Sequence, residues 1–260
     1  MPVTYWSYLK IEELLALQEP VSDGPEHDEM LFIVIHQVYE LWFKELLHES
    51  DYLCRRLLAN ENPAALGTLK RILTILKVLV SQIDVLETMT PLNFLSFRDR
   101  LESGSGFQSW QFRELEFVMG RKDSNALDRY PEGHAGRAAL RRRMGAPTLW
   151  DAFLHFLGHN GYRLADDITE RDVTKPIVQS VTIQEVLLTV YRTNPELTQV
   201  CERLVDLDEG MQEWRYRHVK MVQRTIGTRG GTGGSSGAEY LMRTLNQPAF
   251  PDLWAIRTAL

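Results

Sequence analysis

Between Pro63 and Thr88 the chain places Leu66, Leu69, Leu73, Leu76, Val80, Ile83 and Leu86 at three- and four-residue intervals. A strand turns successive side chains to opposite faces, so this spacing gathers one apolar surface only on an α-helix. The same period runs from about Asp28 to Ala59 through Phe32, Ile35, His36, Tyr39, Phe43 and Leu46. It returns from Pro195 to Ile226 through Leu197, Leu204, Leu207, Met211, Trp214, His218, Met221 and Val222. Shorter helices are expected at Tyr8–Leu17, in "NFLSFRDRL", in "FQSWQFRELEFVMG", at Leu149–Leu157 and at Ile183–Tyr191, with Pro91 stopping the third helix. No strand–helix alternation and no repeat interrupts this pattern. The expected fold is all-α, a single domain over residues 1–260, with the polar, basic segment 121–147 as a surface excursion.

Composition narrows the function. A hydrophobic fraction of 44% suffices for a real core. A net charge of −6 argues against a nucleic-acid partner, and the run Arg141-Arg142-Arg143 reads as a solvated helix face. Cys54 and Cys201 are the only cysteines, and neither lies in C-x-x-C or C-x-x-C-H. A disulfide framework, a cysteine zinc site and covalent haem attachment are thereby disfavoured. The start "MPVTYWSYLKIEELL" lacks a basic-then-apolar leader, and the charge-free stretch from Met30 to Tyr39 is too short to span a bilayer. A cytoplasmic, reducing setting without a membrane partner is the expectation.

The stretch "IGTRGGTGGSSGAEYL" invites a search for an anion. It lacks the Gly-Lys-Ser/Thr of a P-loop, and Ser236 breaks the G-x-G-x-x-G pattern. What remains is either a mobile connection or a substrate loop over 228–238, whose amides and hydroxyls (Thr232, Ser235, Ser236) can hold a small carboxylate. His36 and His218 both fall on apolar stripes. A lone histidine there is more often a core residue than a ligand, but two on separate long helices, one beside the glycine loop, fit haem-iron ligation with Trp214 one turn earlier. Arg98, flanked by Phe94 and Phe97, suits a fork gripping a carboxylate beside a flat aromatic ligand. Arg113, three residues before Glu116, reads first as a surface ion pair. No Ser-His-Asp or H-E-x-x-H pattern is present.

The segments "HDEMLFIVIHQVYELWFKELLHE", "SGFQSWQFRELEF", "WRYRHVKMVQRTIG" and "GTGGSSGAEYL" closely resemble the tryptophan 2,3-dioxygenase family, in the family's order, from Tyr5 to the C-terminus. The resemblance implies an all-helical homotetramer holding haem b and using O2 as co-substrate. It implies His218 as the proximal iron ligand with Trp214 packed behind it, and Ser105 near the haem edge. His36 matches the distal histidine that accepts the indole N–H. Phe32 and Phe94 match the aromatics of the indole pocket, Arg98 the carboxylate-binding arginine, and Thr232 the loop threonine over the substrate's ammonium and carboxylate. Tyr5 and Tyr8 match an N-terminal pair that reaches a neighbouring subunit's active site. The implied reaction inserts O2 at the indole C2=C3 bond of L-tryptophan to give N-formylkynurenine. Trp6, Trp110, Thr228 and Gly230 depart from the family's usual residues. The departures near the substrate lid keep two alternatives open: a monooxygenase acting on a substituted tryptophan such as β-methyltryptophan, and a non-catalytic haem sensor.

Overall fold

In a computed structural model, the structure describes residues 2–24, 26–102, 104–231, 241–242 and 244–260. The fold is all-α, and no strand occurs among the described residues. Three long helices form its frame: α3 (His27–Leu58), α4 (Asn62–Leu86) and α11 (Pro195–Ile226). Helix α4 packs along both others. Its buried Leu69, Ile72, Leu76, Leu79 and Ile83 keep the three-four spacing and meet Ile35, Phe43, Leu53 and Leu57 of α3 and Leu197, Leu204 and Met211 of α11 in one core. At roughly 1.5 Å per residue the two 32-residue helices each run about 48 Å, long enough to support packed elements along their whole length.

Around this frame lie α5 (Pro91–Arg98), α6 (Trp110–Val118), α7 (Ala135–Met144), α8 (Leu149–His159), the short α9 (Asp166–Thr169), α10 (Val181–Thr193) and α12 (Pro251–Ala255). Local chemistry sets their ends. Thr148 and Asp151 form a capping box at the start of α8. The Asn194 side chain accepts the Leu197 amide at 3.1 Å, with Pro195 in the first turn of α11. Gly227, at φ +63°, ends that helix.

Three expectations need correction. The third helix ends at Leu86, and Pro91 opens α5 instead of stopping α4, because Thr90 caps the Asn93 amide. The expected helix Tyr8–Leu17 is two helices, α1 (Tyr5–Leu9) and α2 (Ile11–Leu15), divided by Lys10 in the left-handed region at φ 54°. A capping box between Thr4 and Ser7 starts α1 earlier than apolar spacing indicates. The basic run also departs from a solvated face: Arg141 and Arg142 are exposed, but Arg143 folds back to donate to Asp51 on α3 at 2.7 Å and to Glu114 on α6 at 3.3 Å.

Segment 121–147, read as an excursion, carries a small core of its own, in which Ala126, Tyr130 and Leu140 close over Phe117 of α6. The buried Asp208 of α11 clamps the C-terminal region. One carboxylate oxygen accepts the amides of Ala249 (2.8 Å) and Phe250 (3.1 Å) and the Trp254 indole N–H (2.9 Å). No helix of the described residues is long and apolar enough to cross a membrane.

Candidate active site

One cavity opens between α3, α5, α11 and the stretch before α6, with an empty volume of about 1630 Å³ including its mouth. Its walls are mainly apolar, and two imidazoles face it, His36 from α3 and His218 from α11.

His36 sits one turn after Phe32, and its Nδ1 lies 2.7 Å from the Phe32 carbonyl. A carbonyl only accepts, so Nδ1 carries the hydrogen and Nε2 of the neutral ring keeps its lone pair. Burial pushes His36 below the ordinary imidazole value, against the opposing pull of the Phe32 carbonyl and Glu40. The ring packs 4.1 Å from Phe32, which in turn meets Phe94 at 5.8 Å and Phe97 at 5.5 Å. The result is an aromatic wall carrying a single hydrogen-bond acceptor.

His218 is held differently. Its ring stacks on Trp214 with planes 6° apart and centroids 5.1 Å apart. Trp214 is wedged in turn against Phe112 (4.8 Å), Tyr39 and Phe43 (both 6.2 Å). Tyr39 is tied down by its hydroxyl, which donates to the Leu79 carbonyl at 2.8 Å. Burial first, with His36 and Arg113 adding to it, pushes His218 down to about 4, so the ring is neutral at physiological pH. An uncharged imidazole fixed in orientation and facing an apolar cavity is a ready axial ligand.

Arg98 ends α5, one turn after Phe94, and donates to the Gly230 carbonyl at 2.6 Å, joining α5 to the start of the glycine-rich stretch. Ser105 lines the cavity and accepts the Phe107 amide at 3.2 Å. Thus Phe32, His36, Phe94, Arg98, Ser105, Trp214 and His218 all border the same space. Tyr5 and Tyr8 do not: both are exposed on α1, as is Trp6. Thr232 and the rest of 232–238 lie outside the described residues, whereas Gly231 borders the cavity.

The sequence reading missed a buried charge cluster in the same wall. Arg113, expected at the surface, is buried with Glu116, which also accepts from Arg215 at 2.6 Å. Burial alone would raise the Glu116 carboxyl, but Arg113, Arg215 and Arg121 outweigh it and hold it below the usual range. Arg113, Glu116 and Arg215 all line the cavity, so they set a charged cluster into an otherwise mainly apolar wall. The one hint in the sequence was a nine-residue helix, "WQFRELEFV", with three charges among aromatics and no stretch left to be a solvated face. Among the described residues no three His, Cys, Asp or Glu side chains converge.

The fold and cavity define an all-helical protein that offers one fixed neutral imidazole, one acceptor imidazole and a charged cluster around a mainly apolar space. The family pattern for tryptophan 2,3-dioxygenase matches residues 2–148 and 166–260. A tryptophan 2,3-dioxygenase of Herpetosiphon aurantiacus is 60% identical over 258 residues, covering 99% of this chain and 98% of its own length. One from Anaeromyxobacter sp. strain K is 57% identical, with 99% and 96% covered, and one from Caulobacter vibrioides is 43% identical, with 99% and 98% covered. The chain belongs to the tryptophan 2,3-dioxygenase family and is an oxidoreductase.

Proposed function

We propose that the chain holds haem b and oxidises L-tryptophan with O2 at the indole C2=C3 bond, yielding N-formylkynurenine. The observation that carries this reading is the pairing in one cavity of a neutral, stacked His218 with a neutral His36 whose Nε2 is free to accept. His218 would hold the haem iron, its ring plane fixed by Trp214. Arg113 and Arg215, sharing Glu116, suit the carboxylates of a porphyrin, with Ser105 nearby on the same wall. When bound, haem supplies the ferrous iron that activates O2.

The chain's own residues then bind and orient. His36 accepts the indole N–H; the ring's C3 is already electron-rich, so no general base is required for attack. Phe32 and Phe94 flank the indole, and Arg98 releases Gly230 to take the substrate carboxylate. Such a charge-assisted bond contributes about 1.5–3 kcal/mol. Thr232 would complete the grip on the ammonium and carboxylate. Holding the reacting atoms in a near-attack geometry lowers the barrier through orientation, and the apolar walls exclude water. Exposed Tyr5 and Tyr8 on the projecting α1 fit a role on a neighbouring copy in a homotetramer.

The test is anaerobic reduction of the haem-loaded protein, addition of L-tryptophan and labelled O2, and mass analysis. The expected product carries two labelled oxygens. One labelled oxygen, or no turnover despite a haem spectrum, would overturn the assignment. His218→Ala should abolish the Soret band.

A further inference from the structure

The stretch Gly104–Ser109 forms one side of the cavity and is poorly equipped to keep its own shape. Its regular structure is a single 3-10 turn, Gly106–Gln108, and one isolated turn has little cooperative stability. Besides its local bonds and Arg113 of α6, which lies 5.3 Å from the Phe107 ring, it is held by segment 121–147, which has no part in the function described so far. The Tyr130 hydroxyl donates to the Gln108 carbonyl at 3.0 Å. The Arg129 guanidinium lies 4.2 Å from the centre of the Phe107 ring, within cation–π range.

Tyr130 is itself immobilised. Arg137 donates to its carbonyl at 2.9 Å, and its ring stacks on His134 at 5.5 Å and sits in the small core with Ala126 and Leu140. The segment is rooted in turn on the main frame. Arg143 reaches Asp51 on α3 and Glu114 on α6, and the Lys122 ammonium donates to the carbonyls of Met144 (3.2 Å) and Ala146 (2.9 Å) at the end of α7. A series of contacts therefore runs from α3 and α6, through the segment, to one wall of the cavity.

We propose that residues 124–144 are a brace for that wall, with Tyr130 and Arg129 as positioning residues that act through Gln108 and Phe107 on Ser105–Ser109 and so tighten the grip on the bound haem. This deepens the haem reading and rests on it. The full chain would be compared as wild type, Tyr130→Phe, Arg129→Met, Arg129→Lys and, as a control for lost stability alone, Ile75→Val on α4. The first readout is hydrogen exchange of the Phe107–Ser109 amides in haem-free protein. The second is haem release to excess apomyoglobin.

The expectation is faster exchange in Tyr130→Phe and Arg129→Met, and haem release about three- to tenfold faster, as loss of one interaction of this kind implies. Arg129→Lys should fall between Met and wild type because it keeps the cation, and Ile75→Val should leave both readouts unchanged. Unchanged exchange in both variants overturns the brace. Faster exchange with unaltered haem release, or equal acceleration by Ile75→Val, overturns its link to the bound group. If the wild type takes up no haem, the haem reading falls while the exchange result still decides the brace.

Discussion

Arg98 shows how one side chain can serve two states of a site. With its guanidinium on the Gly230 carbonyl, it ties α5 to the glycine-rich stretch, and a substrate carboxylate would compete for the same donors with a full charge instead of a dipole. Arg98→Leu should raise the KM for L-tryptophan by about tenfold to a hundredfold, the loss of one charge-assisted contact, and leave the haem spectrum intact. Steady-state kinetics with tryptamine, which lacks the carboxylate, should show little change. A second consequence concerns His218. Free imidazole titrates near 6.5, whereas this ring is held down to about 4, so between those values the unfolded chain binds a proton that the folded haem-free chain refuses. Stability from this group is therefore complete above about pH 7, falls as pH drops through 6.5 towards 4, and falls no further below that. Solvent in the open cavity screens the effect to about 1–2 kcal/mol. Urea unfolding of haem-free protein at several pH values, repeated with His218→Gln, should show a shallower acid slope in the variant.

At the scale of the element, α7 owes its seat to one glycine. A Cβ on Gly136 would lie 2.9 Å from the Trp110 Cβ, closer than packed carbons approach, and Trp110 cannot retreat without disturbing the start of α6. Gly136→Ala should cost about 1–3 kcal/mol as α7 is pushed outward, measurable as a lower urea midpoint. The same element explains what the sequence could and could not disclose. The frame helices were legible to within about two residues, since the three-four spacing of Leu69 to Ile83 survives into the core and Asn194-Pro195 marks its own helix start. Phe32, His36, Phe94, Arg98 and His218 were legible as a group through family motifs. Segment 121–147 was opaque because its apolar residues are few and its stability comes from Arg143, Lys122 and Tyr130 meeting atoms far along the chain. Arg113 misled for a related reason: the i,i+3 pair with Glu116 is real, but only the packing of α11 behind it decides that the pair is buried. Charge patterns carry local pairing; burial is a tertiary property.

Across the whole molecule, the cavity is built from elements separated by most of the chain, so the frame and the site share one cooperative core. Leu204 of α11 is fully buried in that core, and Leu204→Ala should cost about 2–5 kcal/mol. A thermal scan of the haem-loaded protein should show a lower Tm, with the Soret band and helical signal lost together. The helix that carries His218 also carries Asp208, roughly 15 Å away along its axis, with a carboxylate out of water whose three donors on one oxygen come from Ala249, Phe250 and Trp254. A chain cut before Ala249 would lose these three donors together with the buried Phe250, Leu253 and Ile256, leaving Asp208 its bond from Gln212, and limited proteolysis should find α11 more accessible in the truncated protein. The helix that presents His218 is thereby latched by a stretch of chain that follows Asp208 by 41 residues or more.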